Sequence, residues 1–323
     1  MSSILISVVI CTYNRAALLA NLLENLSAQS LDASTYEIII VDNNSLDQTR
    51  DVVQAFAASH GNVSYGFEAC QGLSWARNHG YRIARGEYVA YLDDDCKVPA
   101  QWLAVAQEVI ERIAPGMFGG PYHAFYDSPK PHWYLDQYGS HVQGDEARQL
   151  TQDEYLDGAN LFIRRSLLEA LGGFNRTLGM VGGELGYGEE TALQQLLRTT
   201  RPEEAICYEP RLFVHHIVSA RKMTLRWSAR QVFVAGRCWQ RMLNARGGGE
   251  LGLRHSVRET IHSLRAFCTD IVCGVFVRDR RRFPYVQNHW YEQAFTNLRR
   301  LGELYERFSH GTRTHRWRNQ GNR

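Results

Sequence analysis

Over its first hundred residues the chain switches repeatedly between two hydrophobic periods, and this alternation restricts the fold more than any other feature. Residues 4–10 form a continuous, largely β-branched run that predicts a buried strand. Leu18, Leu19, Leu22, Leu23 and Leu26 then follow helical spacing. Residues 37–41 predict a second buried strand, with Ser45 or Asp47 placed to cap a helix reaching Ala58. A strand over 63–67, a helix over 73–84 and a strand over 87–92 complete the series. Repeated strand–helix units of this pitch bury parallel strands beneath helices, so the expected class is α/β with a Rossmann-like, mostly parallel central sheet.

Beyond residue 116 the pattern loosens through Gly119-Gly120-Pro121, Pro129 and Pro131. Order returns over 155–164, a short helix over 166–171, a glycine-rich stretch over 172–188, a helix from Glu189, and a strand leading to His215-His216. Past Met223 the reading is mainly helical, which divides the chain into residues 1–225 and a C-terminal helical region, 226–323. Charge divides it at the same place. Residues 1–225 carry 17 Lys+Arg against 27 Asp+Glu, whereas 226–323 carry 19 against 7, so a net charge of +2 conceals −10 and +12. In the segment 224–244, Arg226, Arg230, Arg237 and Arg241 share one helical face, opposite Leu225, Val232, Trp239, Met242 and Leu243. A solvated arginine face is the expectation. Docking on an anionic membrane surface is the functional alternative, helped by Arg278 and Arg280–Arg282 directly after the apolar run 271–277. That run is too short to span a bilayer. The N-terminus lacks the basic start of a signal peptide, and seven cysteines without a CxxC fit a reducing compartment. The expected setting is therefore cytoplasmic, peripheral at the inner membrane face, with a homo-oligomer through the C-terminal helices as a further option.

The predicted strand at 87–92 runs straight into Asp93-Asp94-Asp95. Three adjacent carboxylates repel one another unless something positive lies among them, and a hard divalent cation is suited to that position because it takes oxygen ligands and brings phosphate with it. Three other segments end in comparable chemistry. The first strand closes in Thr12-Tyr13-Asn14-Arg15, and the second in Asp42-Asn43-Asn44-Ser45, groups suited to a base and a ribose. Gly72-Leu73-Ser74 opens a helix carrying Arg77 and Asn78, with a guanidinium placed to meet phosphate. Ligands in open α/β sheets bind at such strand ends.

These segments, with Gly158-Ala159-Asn160, Arg164-Arg165, Gly172-Gly173-Phe174 and Gly188-Glu189-Glu190-Thr191, resemble the family 2 glycosyltransferases, inverting enzymes of the GT-A fold. The resemblance covers about residues 4–230. It implies that Asp42 accepts from the nucleobase beside Thr12, Tyr13, Asn14 and Asn44, and that Arg77, Asn78, Asp93 and Asp94 serve the nucleotide. It also implies that Asp95, with Asp93, holds Mn²⁺ or Mg²⁺, and that His215 or His216 completes the metal site. The spacing from His215 to Arg221 favours His215. Glu190 takes the place of the family's catalytic aspartate, with Glu189 as competitor. Met223 stands where processive members carry the glutamine of Gln-x-x-Arg-Trp, so single-sugar transfer is expected. The implied partners are a nucleotide-sugar donor, a uridine one by preference, and a saccharide or lipid-linked acceptor. Aromatic residues at 132–134 and Tyr138 could offer stacking faces to that acceptor.

Two readings from other classes compete. A nucleic-acid-binding protein would use the basic C-terminal arm, although acids at the strand ends would repel a polyanion. A nucleotidyltransferase would need the acids but not Glu190. No GxGxxG follows the first strand, which sets aside a dehydrogenase.

Overall fold

The computed structural model describes residues 4–245 and 253–318. Its larger sheet is built on β1 (Ile6–Thr12), β2 (Tyr36–Asp42), β3 (Val63–Phe67) and β4 (Tyr88–Asp93), with α1 (Ala16–Ser27), α2 (Thr49–Ala57) and α3 (Leu73–Ile83) between them. The central strands read as continuous apolar runs because both of their faces are covered. On β1, Ile6, Val8 and Ile10 join the α1 leucines in one core, and Val9 packs with Ile39, Val41, Ala76 and Tyr81 in the other. The N-cap of α2 is Gln48 and not Ser45 or Asp47, but the Asp47 carboxylate accepts from the Thr49 amide at 3.1 Å and also from the Ala16 amide at 3.0 Å, which ties the start of α2 to that of α1.

After β5 (Cys96–Lys97) come α4 (Trp102–Ile113), β6 (Met117–Gly119), β7 (Tyr122–Tyr126), β8 (Arg148–Gln149) and β9 (Asn160–Arg164). Then follow α5 (Arg165–Leu171), α6 (Glu189–Thr200), β10 (Ile206–Tyr208) and β11 (Val214–Val218). The larger sheet has the order β3-β2-β1-β4-β9-β6-β10-β8. It is parallel from β3 to β4, but β9 runs antiparallel to both of its neighbours. This is the GT-A arrangement of a mostly parallel sheet flanked by helices. Register sets Thr12 opposite Asp42 and Cys11 opposite Asp93, so the polar ends of three strands share one edge. A second sheet, β5-β11-β7, pairs His216 with Cys96, next to the acids.

Contacts divide the chain into two units. The first runs to Phe125 and takes in Asp136–Glu184 and Glu189–Val218. The second collects Tyr126–Leu135, Leu185–Gly188 and the described residues from Ser219 on, so it begins ahead of the boundary expected after 225.

The second unit holds α7 (Leu225–Ala245), α8 (Leu253–Phe276) and α9 (Val286–His289), which passes through a π-helical turn (Trp290–Ala294) into α10 (Phe295–Arg318). Gly236 and Gly302 let α7 and α10 approach backbone to backbone, since a Cβ on either would collide with a carbonyl oxygen of the other helix. The expected solvated arginine face of α7 is corrected for two of its four arginines, while Arg226 and Arg230 are exposed. Arg237 and Arg241 both bind Glu306 of α10, at 2.9 and 2.7 Å. Burial alone would raise the Glu306 carboxyl, and the two guanidiniums hold it below its usual range instead. No described helix is long and apolar enough to cross a membrane.

Candidate active site

The acids at the end of β4 do not behave alike. Asp94 is buried and structural: its carboxylate accepts from Thr12 Oγ1 at 2.7 Å and from Arg15 at 2.7 Å. Arg15 also reaches Asp95 at 3.3 Å, so one guanidinium partly neutralises two carboxylates. Burial pushes the Asp94 carboxyl upward against the pull of Arg15, and that guanidinium is in turn held charged by Asp94.

Asp93 and Asp95 face a third group. A donor atom from each and one from His216 all lie within 4.8 Å of one another. His216 Nε2 is 3.1 Å from Asp95 Oδ1, and the Ile217 amide donates to the Asp95 carbonyl, which fixes β11 against the acidic turn. The preference for His215 is therefore corrected. Adjacent strand residues point to opposite faces, and His215 turns away to ring contacts with His123 and Phe213. Burial lowers its pKa, followed by the charges of His123 and Lys97.

Arg77 on α3 is almost fully buried and binds Glu189 at 2.8 Å, with Asp93 at 3.6 Å and the Gly158 carbonyl at 3.2 Å. Its guanidinium lies over the rings of Tyr91 and Phe174. Burial opposes the charge, but Glu189, Asp93 and Glu190 outweigh it and keep Arg77 protonated. Gly158 has a specific reason to be glycine, because a Cβ there would run into the guanidinium. Removing one partner of a buried pair leaves an uncompensated charge, so Arg77→Met is expected to cost about 3–5 kcal/mol of stability. Urea unfolding of wild type and variant checks this, and Arg77→Met with Glu189→Gln should recover part of the loss.

Glu189 is thus committed to Arg77, and Glu190, one residue into α6, is half-buried. Burial first, then Glu189 and Asp157, raise the Glu190 pKa well above the ordinary glutamate value. Asn78 is a second correction. Its amide donates to the Phe174 carbonyl and accepts from the Phe174 amide, both at 2.8 Å, so it braces the loop after α5 instead of facing a nucleotide. Asn44 is exposed with a positive φ of 65°, while its neighbour Asn43 ties β2 to the turn before α3 through Cys70 and Gly72. Asn14 likewise fastens β1 to the β2 turn by accepting from the Leu46 amide at 2.7 Å. Asp42 is buried and accepts from Tyr65 Oη and the Ser45 amide, both at 2.8 Å. Thr12, Tyr13, Asp93, Asp94, Met180 and Gly182 line a cleft at these strand ends.

Arg15 is the residue for which the sequence reading had no role. Its signal was present, three positions after Thr12 in the same polar turn, but the partner acids lie about eighty residues on.

The family model described as Glycosyl transferase family 2 matches residues 7–172, just over half of the chain. The chain belongs to glycosyl transferase family 2. Among curated relatives of this family 2 protein is "Glycosyltransferase AglE" of Haloferax volcanii, 29% identical over 183 residues, 56% of this chain and 59% of AglE. The match therefore spans about three-fifths of that relative's length. "Succinoglycan biosynthesis protein ExoM" of Rhizobium meliloti is 26% identical over 289 residues, covering 86% of this chain and 88% of ExoM. Among solved structures, mannosyltransferase PcManGT from Pyrobaculum calidifontis, in complex with GDP-Man and Mn²⁺, superposes with a TM-score of 0.56 at 16% identity. That alignment covers 97% of this family 2 chain and 76% of PcManGT, and it establishes the fold alone.

Proposed function

We propose that this protein transfers a single sugar, with inversion and metal assistance, from a nucleotide-sugar donor to a saccharide acceptor in polysaccharide or glycoconjugate assembly. An acceptor borne on a lipid would be met at a membrane surface. The observation that carries the reading is the Asp93–Asp95–His216 donor cluster at the edge where the polar strand ends converge. Two carboxylates and one imidazole fit Mn²⁺ well, and the single nitrogen donor makes the set less suited to Mg²⁺. The presence of GDP-Man and Mn²⁺ in the PcManGT structure supports the same assignment.

When bound, the ion would neutralise charge on the departing diphosphate as a Lewis acid, so that no protonated residue is required there. The protein's own groups do the rest. Asp42, backed by Tyr65, would accept an imide N–H such as that of uracil; Thr12 and Tyr13 would line the same cleft. Asp94 and Arg15 hold the acidic turn in shape. Glu190 would take the acceptor hydroxyl's proton, and Glu189, pinned by Arg77, keeps a fixed negative charge behind it. Met223 at the glutamine position of the processive signature favours one transfer per encounter.

Mn²⁺-dependent hydrolysis across UDP-, GDP- and dTDP-sugars tests the reading. Turnover of one donor is the expected result; absence of both hydrolysis and calorimetric donor binding across the panel overturns it. The two histidines separate the metal geometry. His216→Ala is expected to weaken Mn²⁺ binding about 10–100-fold, and His215→Ala to leave it within error, in a calorimetric titration without donor.

A further inference from the structure

Helix α8 leaves an apolar stripe in solvent. Val257, Ile261, Leu264, Cys268, Val272 and Val275 recur at three- and four-residue intervals and fall within an arc of about 80°. The five aliphatic residues among them are 44–55% exposed, and Phe276 at the end of the helix is 79% exposed. Cys268 sits on the same stripe and is also exposed. From Val257 to Phe276 the stripe runs for about 30 Å, far longer than the scattered single apolar residues of an ordinary surface.

One edge of it is basic. Arg254, Arg258 and Arg265 are exposed along one edge of the stripe. The two carboxylates of the helix, Glu259 and Asp270, lie on the opposite side against α10, where they meet Arg300 at 3.5 Å and Asn297 at 2.9 Å. Beyond the helix, Arg280, Arg281 and Arg282 are exposed in the turn that follows. The acid in that turn, Asp279, accepts from the backbone amides of Arg281 and Arg282.

We propose that this face of α8 lies in the plane of an anionic lipid bilayer surface, with the stripe inserted and the arginines among lipid phosphates. Charge decides the occupant. A second copy seated on the same stripe would bring arginine edge against arginine edge, with no carboxylate on the exposed side of either helix to offset the repulsion. An anionic surface meets both features at once, since apolar area and basic charge add in interfacial binding. The inference places the membrane contact on α8 and not on α7, where Arg237 and Arg241 are engaged by Glu306. It rests on the membrane-surface part of the reading above, yet it is measured as binding without donor or acceptor, so either can fail alone.

The test is flotation of the full-length protein with phosphatidylcholine vesicles, with and without phosphatidylglycerol. Wild type is expected to float with the anionic vesicles only. The Leu264→Glu, Val272→Glu double variant, its helicity checked by circular dichroism, should bind at least about tenfold more weakly. Arg258→Glu with Arg265→Glu should also weaken binding, and high salt should reduce that of the wild type. In a Cys70→Ser background, a bimane label on Cys268 should shift to the blue when anionic vesicles are added. Failure of the wild type to float, or equal flotation of the Leu264/Val272 variant, overturns the proposal. A dimer that the same variant splits, with vesicle binding unchanged, would assign the stripe to a second copy instead.

Discussion

Glu190→Gln is expected to lower kcat by about 10²–10⁴-fold while leaving donor affinity within about threefold, the pattern of a lost proton acceptor. The glutamine keeps the shape of the side chain and removes only its ability to take a proton. Two features of the site make Glu190 the better choice over Glu189. Glu189 is held by Arg77 at 2.8 Å in a buried pair, and accepting a proton there would leave the guanidinium uncompensated. Glu190 is half-buried, beside that charge, with its own pKa raised well above the ordinary value. A base with a raised pKa is inactive when protonated, so activity should rise with pH on an acid limb lying above the usual carboxylate range. That limb should be absent from the residual rate of Glu190→Gln. A pH–rate profile and a donor titration on both proteins check the prediction; a variant with wild-type kcat would return the assignment to Glu189 or to a reaction without a base.

The second large effect belongs to Asp95. Asp95→Asn should abolish Mn²⁺-dependent donor hydrolysis, a loss of about 10³-fold or more, because metal stabilisation of a leaving phosphate is worth several kcal/mol. Asp95 is buried, touches both Arg15 and His216, and belongs to the donor cluster. The fold should survive, since Arg15 retains its shorter bond to Asp94 and the Asp95 carbonyl still receives the Ile217 amide. Mn²⁺ titration followed by electron paramagnetic resonance, beside the hydrolysis assay, measures both parts. Near-wild-type turnover in Asp95→Asn would remove the metal from this edge of the sheet.

The family was legible from sequence because its signal sits at strand ends within the first hundred residues, where hydrophobic period and polar punctuation are both clear. What the sequence concealed were partners distant along the chain. Asn78 carries the chemistry of a ligand, but its amide is taken up by Phe174, 96 residues on. Arg237 and Arg241 read as a solvated face because Glu306 is more than sixty residues away. Alternation along β11 required His215 and His216 to diverge, yet the choice depended on the register with Cys96, which no local pattern encodes. The antiparallel β9 inside a parallel sheet was equally hidden, since an apolar run buried on both faces carries no direction. The α8 stripe did follow a readable spacing. The contiguous apolar run 271–277 masks it, being the end of that longer periodic face.

The loop between α5 and α6 is secured from the first two turns of α3. Asn78 holds the loop's Phe174 end and Arg77 holds Glu189 at the far end. Leu73 and Ser74, one turn earlier, bond to the carbonyls of Met180 and Leu178 in between. Closing a free segment of this length on a ligand would carry a conformational cost at every encounter. Here most of that ordering is completed when the domain folds, long before any donor arrives. Any contacts that a donor made with Met180 and Gly182, which line the cleft, would therefore appear almost undiminished in binding affinity.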